Sequence, residues 1–473
     1  MPPNILTPLI VACALFMENL DGTVISTSLP AIAADLGEDP IALKLALTSY
    51  LLSLAIFIPA SGWAADRFGA RTVFRTAIVG FTLASILCGL SSTLPEFVAA
   101  RVLQGIGGAM MVPVGRLVLI RAVPRAELVR AMAYLSVPAL LGPVLGPPVG
   151  GFITTYFHWR WIFWINVPIG AIGIVLATLF IPNVKEEAPW PLDRFGFFLS
   201  GAGLAALIFG LTVAGRNFIS PAADALLIAT GVVLVTLYVL HARRTPYPII
   251  DLKLLHVPTF FAAIVGGFFF RVGIGAIPFL LPLLFQAGFG LTPFESGSLT
   301  FVAAAGAMLM KTTAAPILRN LGFRQVLVWN TLLCASFLCV NALFHPSTPH
   351  LVIIAILLAG GFFRSLQFTS LNALAFADID NRDMSRATSF AAVAQQLSLS
   401  VGVSVGAAGL EFARSLHGGG ALAVSDFAPA FLLVAAVSAL SVVMFWRLEP
   451  DAGAVVSGRK ARVVGEAAAQ PGE

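Results

Sequence analysis

The sequence predicts an all-α polytopic membrane protein, and three observations support this fold class. The chain of 473 residues is 58% hydrophobic and 11% charged, with a mean hydropathy of +0.93, whereas a soluble domain carries roughly 25% charged residues. Apolar runs of about 20 residues, the length needed to cross a bilayer, recur along the chain. One loop motif occurs twice, about half a chain apart, which indicates two related halves. The chain therefore lacks the polar surface of a soluble protein.

The apolar runs predict about fourteen membrane spans in a 6 + 2 + 6 arrangement. They lie near residues 6–30, 41–65, 73–92, 95–118, 131–155, 160–182, 194–214, 222–240, 257–284, 293–315, 325–344, 350–376, 386–412 and 427–446. We therefore expect four regions: an N-terminal six-helix bundle (1–182), a linker with two extra spans (183–256), a C-terminal six-helix bundle (257–447) and a disordered cytoplasmic tail (448–473).

The basic residues are distributed unevenly between the two sides of the predicted membrane. With the first span starting in the cytoplasm, twenty Lys and Arg residues fall on the cytoplasmic side, against Lys44, Arg160, Arg216 and Arg414 on the other. Since positive charge accumulates in cytoplasmic loops, both termini are predicted to be cytoplasmic. We refer to the opposite end as the predicted outer end.

The loop between the second and third spans carries the spacing G-x-x-x-D-R-x-G-x-R, formed by Gly62, Asp66, Arg67, Gly69 and Arg71. A weaker copy follows the tenth span, where Gly322 and Arg324 align with Gly69 and Arg71 while Arg319 replaces Asp66. One interpretation is an ordinary positively charged loop. The repeated spacing favours the other, a conformational gate.

Two spans of the first half contain unusual residues. The fourth reads R-x-x-Q-G-x-G-G from Arg101 and Gln104, and an arginine within a span costs at least ~2.5 kcal/mol. The fifth contains a glycine–proline motif, which predicts a bent, closely packed helix. Its residues are Gly142, Pro143, Gly146, Pro147, Gly150 and Gly151.

These motifs resemble the major facilitator superfamily. The loop and fourth-span motifs are similar to those of the whole superfamily, and the fifth-span motif resembles one found in its antiporters and generally not in its symporters. Trp159–Pro168 and the start of the first span, Leu20–Pro30, look like the fourteen-span drug:proton antiporters. The unusually polar segments Phe363–Ser370 and Ala387–Leu397 of the second half are similar to the MdtD-like branch. The resemblance covers nearly the whole chain and implies a multi-pass protein of the bacterial inner membrane.

Proton coupling is predicted at Asp21. Asp21 and Glu18 share one helical face, and counting 1.5 Å per residue puts Asp21 roughly 14 Å and Arg101 roughly 9 Å from the outer face. The two charges can therefore meet, and a buried carboxylate beside an arginine can exchange a proton for the ion pair. We expect Asp21 to carry the proton, Arg101 to be its partner and Glu18 to be a secondary site. The alternative is a permanent ion pair that ties two helices together.

The second half carries two arginines near the middle of the membrane. Arg271 lies roughly 20 Å into the ninth span and Arg364 roughly 22 Å into the twelfth. They are predicted to contact substrate, together with Gln104, Gln367, Gln395 and Gln396. One interpretation is that they bond to helix carbonyls, to Glu18, or to one of the second-half glutamines Gln367, Gln395 and Gln396. The other is a cavity with two fixed positive charges, suited to carboxylates.

The predicted function is secondary active efflux of the multidrug-resistance type, in which small amphipathic compounds are exported from the cell in exchange for protons that enter it. The alternative cargo is an anionic metabolite or a metal–citrate-type chelate. A membrane-embedded enzyme or a channel fits less well, because the histidines fall at span ends or in loops and form no catalytic or metal-binding constellation. We expect no cofactor, no bound metal and no nucleic-acid partner. The expected partners are the lipid bilayer, the substrate and protons, and the chain is predicted to act as a monomer.

Overall fold

The computed structural model describes residues 3–122, 128–183, 185, 191–213, 220–380 and 382–458. Within these ranges, the side chains of residues 3–5, 120–140 and 457 are not described. Arg216, one of the predicted outer basic residues, lies outside the described residues. The described chain is built from helices, and the long ones follow the predicted spans.

Each predicted span falls on one long helix. In the first half these are α1 (Pro3–Val24), α2 (Lys44–Phe68), α3 (Ala70–Leu90), α4 (Leu94–Ala122), α5 (Leu128–Tyr156) and α6 (Trp161–Phe180). Next come α7 (Arg194–Val213) and α8 (Pro221–Arg244). The second half consists of α9 (Pro258–Gly288), α10 (Pro293–Lys311), α11 (Phe323–Asn341), α12 (His350–Ala375), α13 (Met384–Leu416) and α14 (Val424–Trp446).

Shorter elements connect them. They are the helices Leu29–Leu36, Ala314–Leu321 and Ala454–Ser457 and the 3₁₀ turns Ile25–Thr27, Pro40–Leu43 and Leu252–His256. Three of the long helices are irregular: α6 breaks at Ile165, α14 breaks at Leu440, and α9 contains π-helical turns at Ala262–Gly266 and Leu284–Gly288.

Twelve helices among the described residues are long and apolar enough to cross a membrane, or thirteen when α10 and the bent helix after it count as one span. The predicted fifth span coincides with α5, and part of α5 has no described side chains. The membrane-spanning helical fold is therefore confirmed, while the number fourteen stays a prediction.

The sequence sets the helix starts locally. At α10, the Thr292 hydroxyl accepts a hydrogen bond from the Glu295 amide at 3.2 Å, and the Glu295 carboxylate accepts one from the Thr292 amide at 2.8 Å. This capping box satisfies two backbone donors that would otherwise lack partners. Pro293 follows in the first turn, where proline's missing N–H costs nothing.

The two halves pack together along two helix pairs, α5 with α10 and α2 with α13. Close backbone approach makes the first pair possible: a Cβ atom at Gly151 would lie 2.9 Å from the Cα atom of Phe294. An apolar core at the predicted outer end is continuous across both halves, with Ile25 and Leu29 on one side and Phe279 and Phe431 on the other.

Polar contacts reinforce the same end. The ammonium group of Lys44 lies 3.3 Å from the Glu411 carboxylate, and Arg414 forms an ion pair with Asp39. Lys44, one of the predicted outer basic residues, is 2% exposed at the start of α2. The Gln286 amide donates to the Thr27 carbonyl at 2.9 Å. Contacts between the halves thus close the bundle at its predicted outer end.

The helix pair α7–α8 lies against the seam between the halves. On α2, the Phe57 ring contacts Phe197 of α7 with centroids 5.6 Å apart. On α13, the Ser404 hydroxyl lies 2.9 Å from that of Thr212 of α7. Helix α7 therefore contacts both halves.

The end of the chain differs from the prediction. Residues 448–458 lie within the predicted disordered tail, yet they fold back onto the second half through the short helix Ala454–Ser457. Leu448 and Ala454 are buried there, and Gly453 packs against Phe323. Apolar burial explains this order, so any disordered tail begins later than predicted. Residues 459–473 lie outside the described residues.

Candidate functional site

An ion pair occupies the middle of the N-terminal bundle. One terminal nitrogen (Nη1) of Arg101 on α4 donates to Oδ2 of Asp21 on α1 at 2.6 Å, and both side chains are 0% exposed. The contact predicted by counting residues is therefore formed. A charged pair this deep is stable only with good geometry and further hydrogen bonds.

Two amides supply those hydrogen bonds. Gln104 of α4 donates to Asp21 Oδ1 at 2.8 Å, and Asn166 of α6 donates to the same oxygen at 2.9 Å. Both amides also donate to the Ser85 hydroxyl of α3, at 2.8 and 3.3 Å. The carboxylate thus accepts from three donors, which suits its ionised form.

Arg101 is enclosed by further contacts. Its guanidinium carbon lies 4.1 Å from the ring centre of Tyr50 and 5.9 Å from that of Phe163. Its Nε donates to the Ala46 carbonyl of α2 at 3.4 Å, and Nη1 also donates to Gln104 at 2.6 Å. The Nη2 atom has no partner among the described residues. Arg101 therefore connects α1, α2 and α4, so its movement would disturb all three.

Glu18 lies one turn before Asp21 but belongs to a different contact. Its carboxylate accepts from the Tyr50 hydroxyl at 3.4 Å, and the residue is 8% exposed. Tyr50 thereby links the second carboxylate to Arg101. The structure places Glu18 beside the ion pair; its secondary role stays a prediction.

Two of the glutamines predicted to bind substrate form hydrogen bonds within the protein, and their role in substrate binding stays a prediction. Gln104 is part of the Asp21 network. Gln367 is completely buried against α11, where it accepts from Asn330 at 2.8 Å and donates to Thr331 at 2.7 Å and to the Leu327 carbonyl at 3.2 Å. Residue type alone could not show which way these amides point.

The other predicted substrate contacts remain available. Gln395 and Gln396 on α13 are partly exposed, and neither side chain makes a hydrogen bond within the described part of the chain. Arg271 is 3% exposed, and its Nε and Nη1 atoms have no hydrogen-bond partner among the described residues. The glutamine, carbonyl or Glu18 partners considered for Arg271 are thus not seen.

Arg364 borders a small cavity inside the C-terminal bundle. The cavity measures about 30 Å³ and is lined mainly by apolar side chains of α9, α11 and α12, among them Ile274, Phe337 and Leu357. A volume of this size holds one or two water molecules. Arg271 lies on α9, with its guanidinium carbon 5.7 Å from the ring centre of Phe368 on α12. The C-terminal bundle thus holds a buried arginine on α9 and a half-buried arginine on α12.

The two loop motifs have matching backbone conformations. Gly69 ends α2 with φ 92°, and Gly322 ends the helix Ala314–Leu321 with φ 78°. Each amide donates to the carbonyl four residues earlier, at 2.9 Å for Gly69 and 2.8 Å for Gly322. Glycine is favoured in this conformation because a side chain would be strained there. The alignment of the two copies is therefore confirmed.

Around these glycines, the first copy contacts the end of α6. Arg71 donates to the Ile181 carbonyl at 3.4 Å, and the Thr72 amide donates to the Asn183 side chain at 3.3 Å. Gly62 and Arg67 are exposed and Asp66 is half-buried. In the second copy, Arg324 lies over the Trp446 ring at 5.6 Å. Their role as a gate stays a prediction.

The glycines of the fifth-span motif let α5 approach α1 closely. A Cβ atom at Gly142 would lie 2.9 Å from the Asn19 side chain, and one at Gly150 would lie 2.7 Å from the Thr27 hydroxyl. Gly146 lies against Thr23 in the same stripe. Gly151 and Pro147 face α10, and Pro143 is exposed. The motif therefore fixes the position of the helix that carries Asp21.

Sequence reasoning missed three members of the site, Tyr50, Ser85 and Asn166. Ser85 carries no sequence signal. Asn166 lies within the Trp159–Pro168 segment, so the segment was recognised but the residue's role was not. Trp159 and Arg160 from the same segment both bond to Asp35, the former at 3.1 Å. Burial, the largest influence, raises the pKa of Asp35, but these hydrogen bonds outweigh it and hold the pKa below its usual value.

Comparisons with known proteins agree with this architecture. A sequence model of the Major Facilitator Superfamily matches residues 11–403 and 263–468. The MdtD protein of Shigella boydii serotype 4, whose name assigns it to multidrug resistance, is 40% identical over 399 residues, covering 84% of each chain. The protein of the same name from Escherichia coli O6:H1 is 38% identical over 447 residues, covering 93% of this chain and 94% of the relative.

Solved structures share the fold. The crystal structure of the D-xylose–proton symporter matches with a TM-score of 0.68 at 15% identity, covering 94% of this chain and 98% of that one. The human organic anion transporter MFSD10 matches with a TM-score of 0.58 at 15% identity, covering 94% and 100%. At this level of identity the likeness concerns the fold alone.

Proposed function

Because this chain belongs to the Major Facilitator Superfamily, we propose that it is a proton-coupled antiporter that exports small amphipathic compounds. The predicted resemblance to the MdtD-like branch is confirmed by the relatives, and the chain is a membrane transporter rather than an enzyme. The relatives' name supports cargo of the multidrug type. The observation that carries proton coupling is the fully buried Asp21–Arg101 pair.

In the proposed cycle, Asp21 alternates between an ionised and a protonated state. When ionised it accepts hydrogen bonds from Arg101, Gln104 and Asn166. A proton arriving at the carboxylate removes the charge that holds Arg101, and the guanidinium then needs another partner. Since Arg101 also contacts α2 at Ala46 and Tyr50, protonation of Asp21 changes the packing of α1 against α2 and α4. Glu18 serves as a second protonation site in this scheme.

We propose that the two halves separate at one end of the bundle in one part of the cycle and at the opposite end in the other part. The arrangement described above is closed at the predicted outer end by contacts such as Lys44–Glu411. The Asp66 loop would then hold the opposite end together in the other half of the cycle. This scheme places both termini in the cytoplasm of a bacterial inner membrane, as the charge asymmetry predicts, and needs a single copy of the chain.

A flux assay in proteoliposomes tests this function. An imposed pH gradient should drive accumulation of an ethidium-like cation or another amphipathic dye, and a protonophore should abolish it. Asp21→Asn should remove the gradient-driven component, whereas Asp380→Asn, which changes an exposed carboxylate, should not. If the transport rate of the wild-type protein did not depend on the pH gradient, proton coupling would be refuted.

A second cargo class is favoured by one specific observation. Arg271 is buried with two guanidinium nitrogens lacking partners among the described residues, and Arg364 on α12 borders a cavity in the same bundle. Within a membrane, an arginine faces a partner or a wet cavity because its charge is costly in lipid. A substrate carboxylate would supply the missing partner, and the guanidinium fork matches its geometry. The site would then accept anionic or zwitterionic cargo, including a metal–citrate-type chelate.

Substrate competition separates the two cargo classes. With anionic cargo, Arg271→Gln and Arg364→Gln should reduce export of carboxylates at least tenfold, a change of about 1.4 kcal/mol, and reduce export of neutral compounds much less. Arg243→Gln, which removes an exposed charge at the end of α8, is the matched control. Equal cation export by wild type and both variants, without carboxylate flux, would leave only the multidrug function.

A further inference from the structure

Asn166 has an unusual position beside Asp21. Its Nδ2 atom donates to Asp21 Oδ1 at 2.9 Å, while its own Oδ1 is buried with no hydrogen-bond partner among the described residues. The side chain is 0% exposed. A buried acceptor without a donor is costly, so this oxygen suggests a second state in which it is used.

The hydrogen bonds around Asp21 are complete for the carboxylate but not for the carboxylic acid. Oδ1 receives donors from Gln104 and Asn166, and Oδ2 receives one from Arg101. A proton on either oxygen creates a donor that faces only other donors. A protonated Asp21 therefore requires one neighbour to offer an acceptor instead.

Asn166 is better placed than Gln104 to do so. The Gln104 oxygen already accepts from Arg101 at 2.6 Å, and its nitrogen donates to Ser85 at 2.8 Å, so turning that amide would break both contacts. Turning the Asn166 amide breaks only the long 3.3 Å donation from its nitrogen to Ser85 besides the bond to Asp21, because its oxygen has no partner among the described residues. A rotation of about 180° around the broad terminal torsion exchanges its nitrogen and oxygen.

We propose that Asn166 stabilises both protonation states of Asp21, donating to the carboxylate through Nδ2 and accepting from the carboxylic acid through Oδ1 after its amide turns over. Asn166 acts as a positioning residue, and its role rests on the proposed function of Asp21 as proton carrier. The proton binds one carboxylate oxygen, and the new O–H donates to the Asn166 oxygen.

The location of Asn166 connects this exchange to α6. The residue follows the break of α6 at Ile165 and begins the segment Asn166–Phe180. The other titratable or charged groups around Asp21 are Glu18 on its own helix, Tyr50 on α2, Cys88 on α3 and Arg101 on α4. Helix α6 contributes an amide, so it responds to the proton without competing for it.

Infrared difference spectroscopy between high and low pH, on the full-length protein in lipid, tests the proposal. The carboxylic acid C=O band of Asp21 is identified by its loss in Asp21→Asn. In Asn166→Leu this band should shift to higher wavenumber, because the acid loses its acceptor. A difference band from isotope-labelled asparagine amide should also disappear. Thr82→Val, which removes another buried oxygen without a partner on the helix facing α6, should leave both bands unchanged.

The outcomes distinguish the role of Asn166 from the role of Asp21 as proton carrier. An Asp21 band that Asn166→Leu does not move would overturn the role of Asn166 alone. The absence of any Asp21-dependent band would overturn the proton-carrier assignment and this inference with it.

A second variant keeps the test independent of folding in Asn166→Leu. Asn166→Asp preserves the side-chain shape but replaces the donor with a second carboxylate, which disfavours ionised Asp21. The midpoint pH of proton-driven transport should therefore rise by about one unit or more. An unchanged midpoint in a folded Asn166→Asp protein would contradict the proposal.

Discussion

Replacing Asp21 with asparagine should affect both stability and coupling, and the local geometry gives the magnitude. Asp21 Oδ1 accepts from two amides and Oδ2 from Arg101. Asparagine has a single acceptor, so it can satisfy Arg101 or the two amides but not both. Each buried donor left without an acceptor costs about 1–3 kcal/mol, and breaking a buried ion pair costs about 3–5 kcal/mol. We therefore expect Asp21→Asn to lower the free energy of unfolding by about 3 kcal/mol.

A double-mutant cycle measures the interaction energy between Asp21 and Arg101. Arg101→Met removes the other charge and leaves the carboxylate with its two amide donors. Because the two changes remove the same contact, the double variant should be less destabilised than the sum of the single variants by about 2 kcal/mol. The measurement is equilibrium unfolding in mixed detergent micelles, with Asp380→Asn as the exposed-carboxylate control.

Function should separate from stability in the same variants. Asp21→Asn is held permanently neutral, so uptake driven by a pH gradient into inverted vesicles should be abolished. Exchange of labelled for unlabelled substrate needs no net proton movement and should persist. Gradient-driven uptake at the wild-type rate, with strictly additive unfolding energies, would refute both the pairing and its role. If Glu18→Gln failed where Asp21→Asn pumped normally, the two carboxylates would have the opposite roles.

Three further predictions concern the gate, the second half and the outer end. Asp66→Asn should slow turnover severalfold while leaving folding and substrate affinity intact, and wild-type turnover would contradict a gating role. Gln367→Leu should lower the free energy of unfolding by about 1–3 kcal/mol with unchanged substrate affinity in a binding assay; a selective loss of affinity would place Gln367 at the substrate site. Lys44→Met weakens the contact with Glu411, so a cysteine introduced at the buried Thr27 should react with a polar maleimide about tenfold faster, equivalent to about 1.4 kcal/mol. An unchanged rate would mean that apolar packing alone closes that end.

Much of the site could be predicted because depth in a membrane follows from residue counting. A helix rises by a fixed distance per residue, so the distances of Asp21 and Arg101 from their span ends are enough to predict that they meet. The contact forms at 2.6 Å. The backbone conformation of Gly69 and Gly322 could also be predicted, because a glycine that reverses the chain between two helices is recognisable from the local sequence. These features depend on position along one helix or one turn.

Rotation about the helix axis is what residue counting could not supply. Gln367 was expected near substrate but faces α11, and Gln104 was expected there but bonds to Asp21. Ser85 and Asn166 complete the site from two other helices. Both side chains are uncharged, so the sequence does not mark them as members of the site. A polar side chain on a span predicts burial against something, yet it does not say which neighbour.

The sequence by itself determined the membrane-spanning class, the repeated halves and the depth of the charged residues, because hydrophobicity, repeat spacing and helical rise are properties of the chain alone. The tertiary structure decided which helix faces meet: the amides that complete the Asp21 site, the position of Arg271 beside Phe368, and the ion pairs that close one end. These depend on how separate helices are rotated and packed. That packing follows from the fit of many side chains at once, so it cannot be read from any single segment.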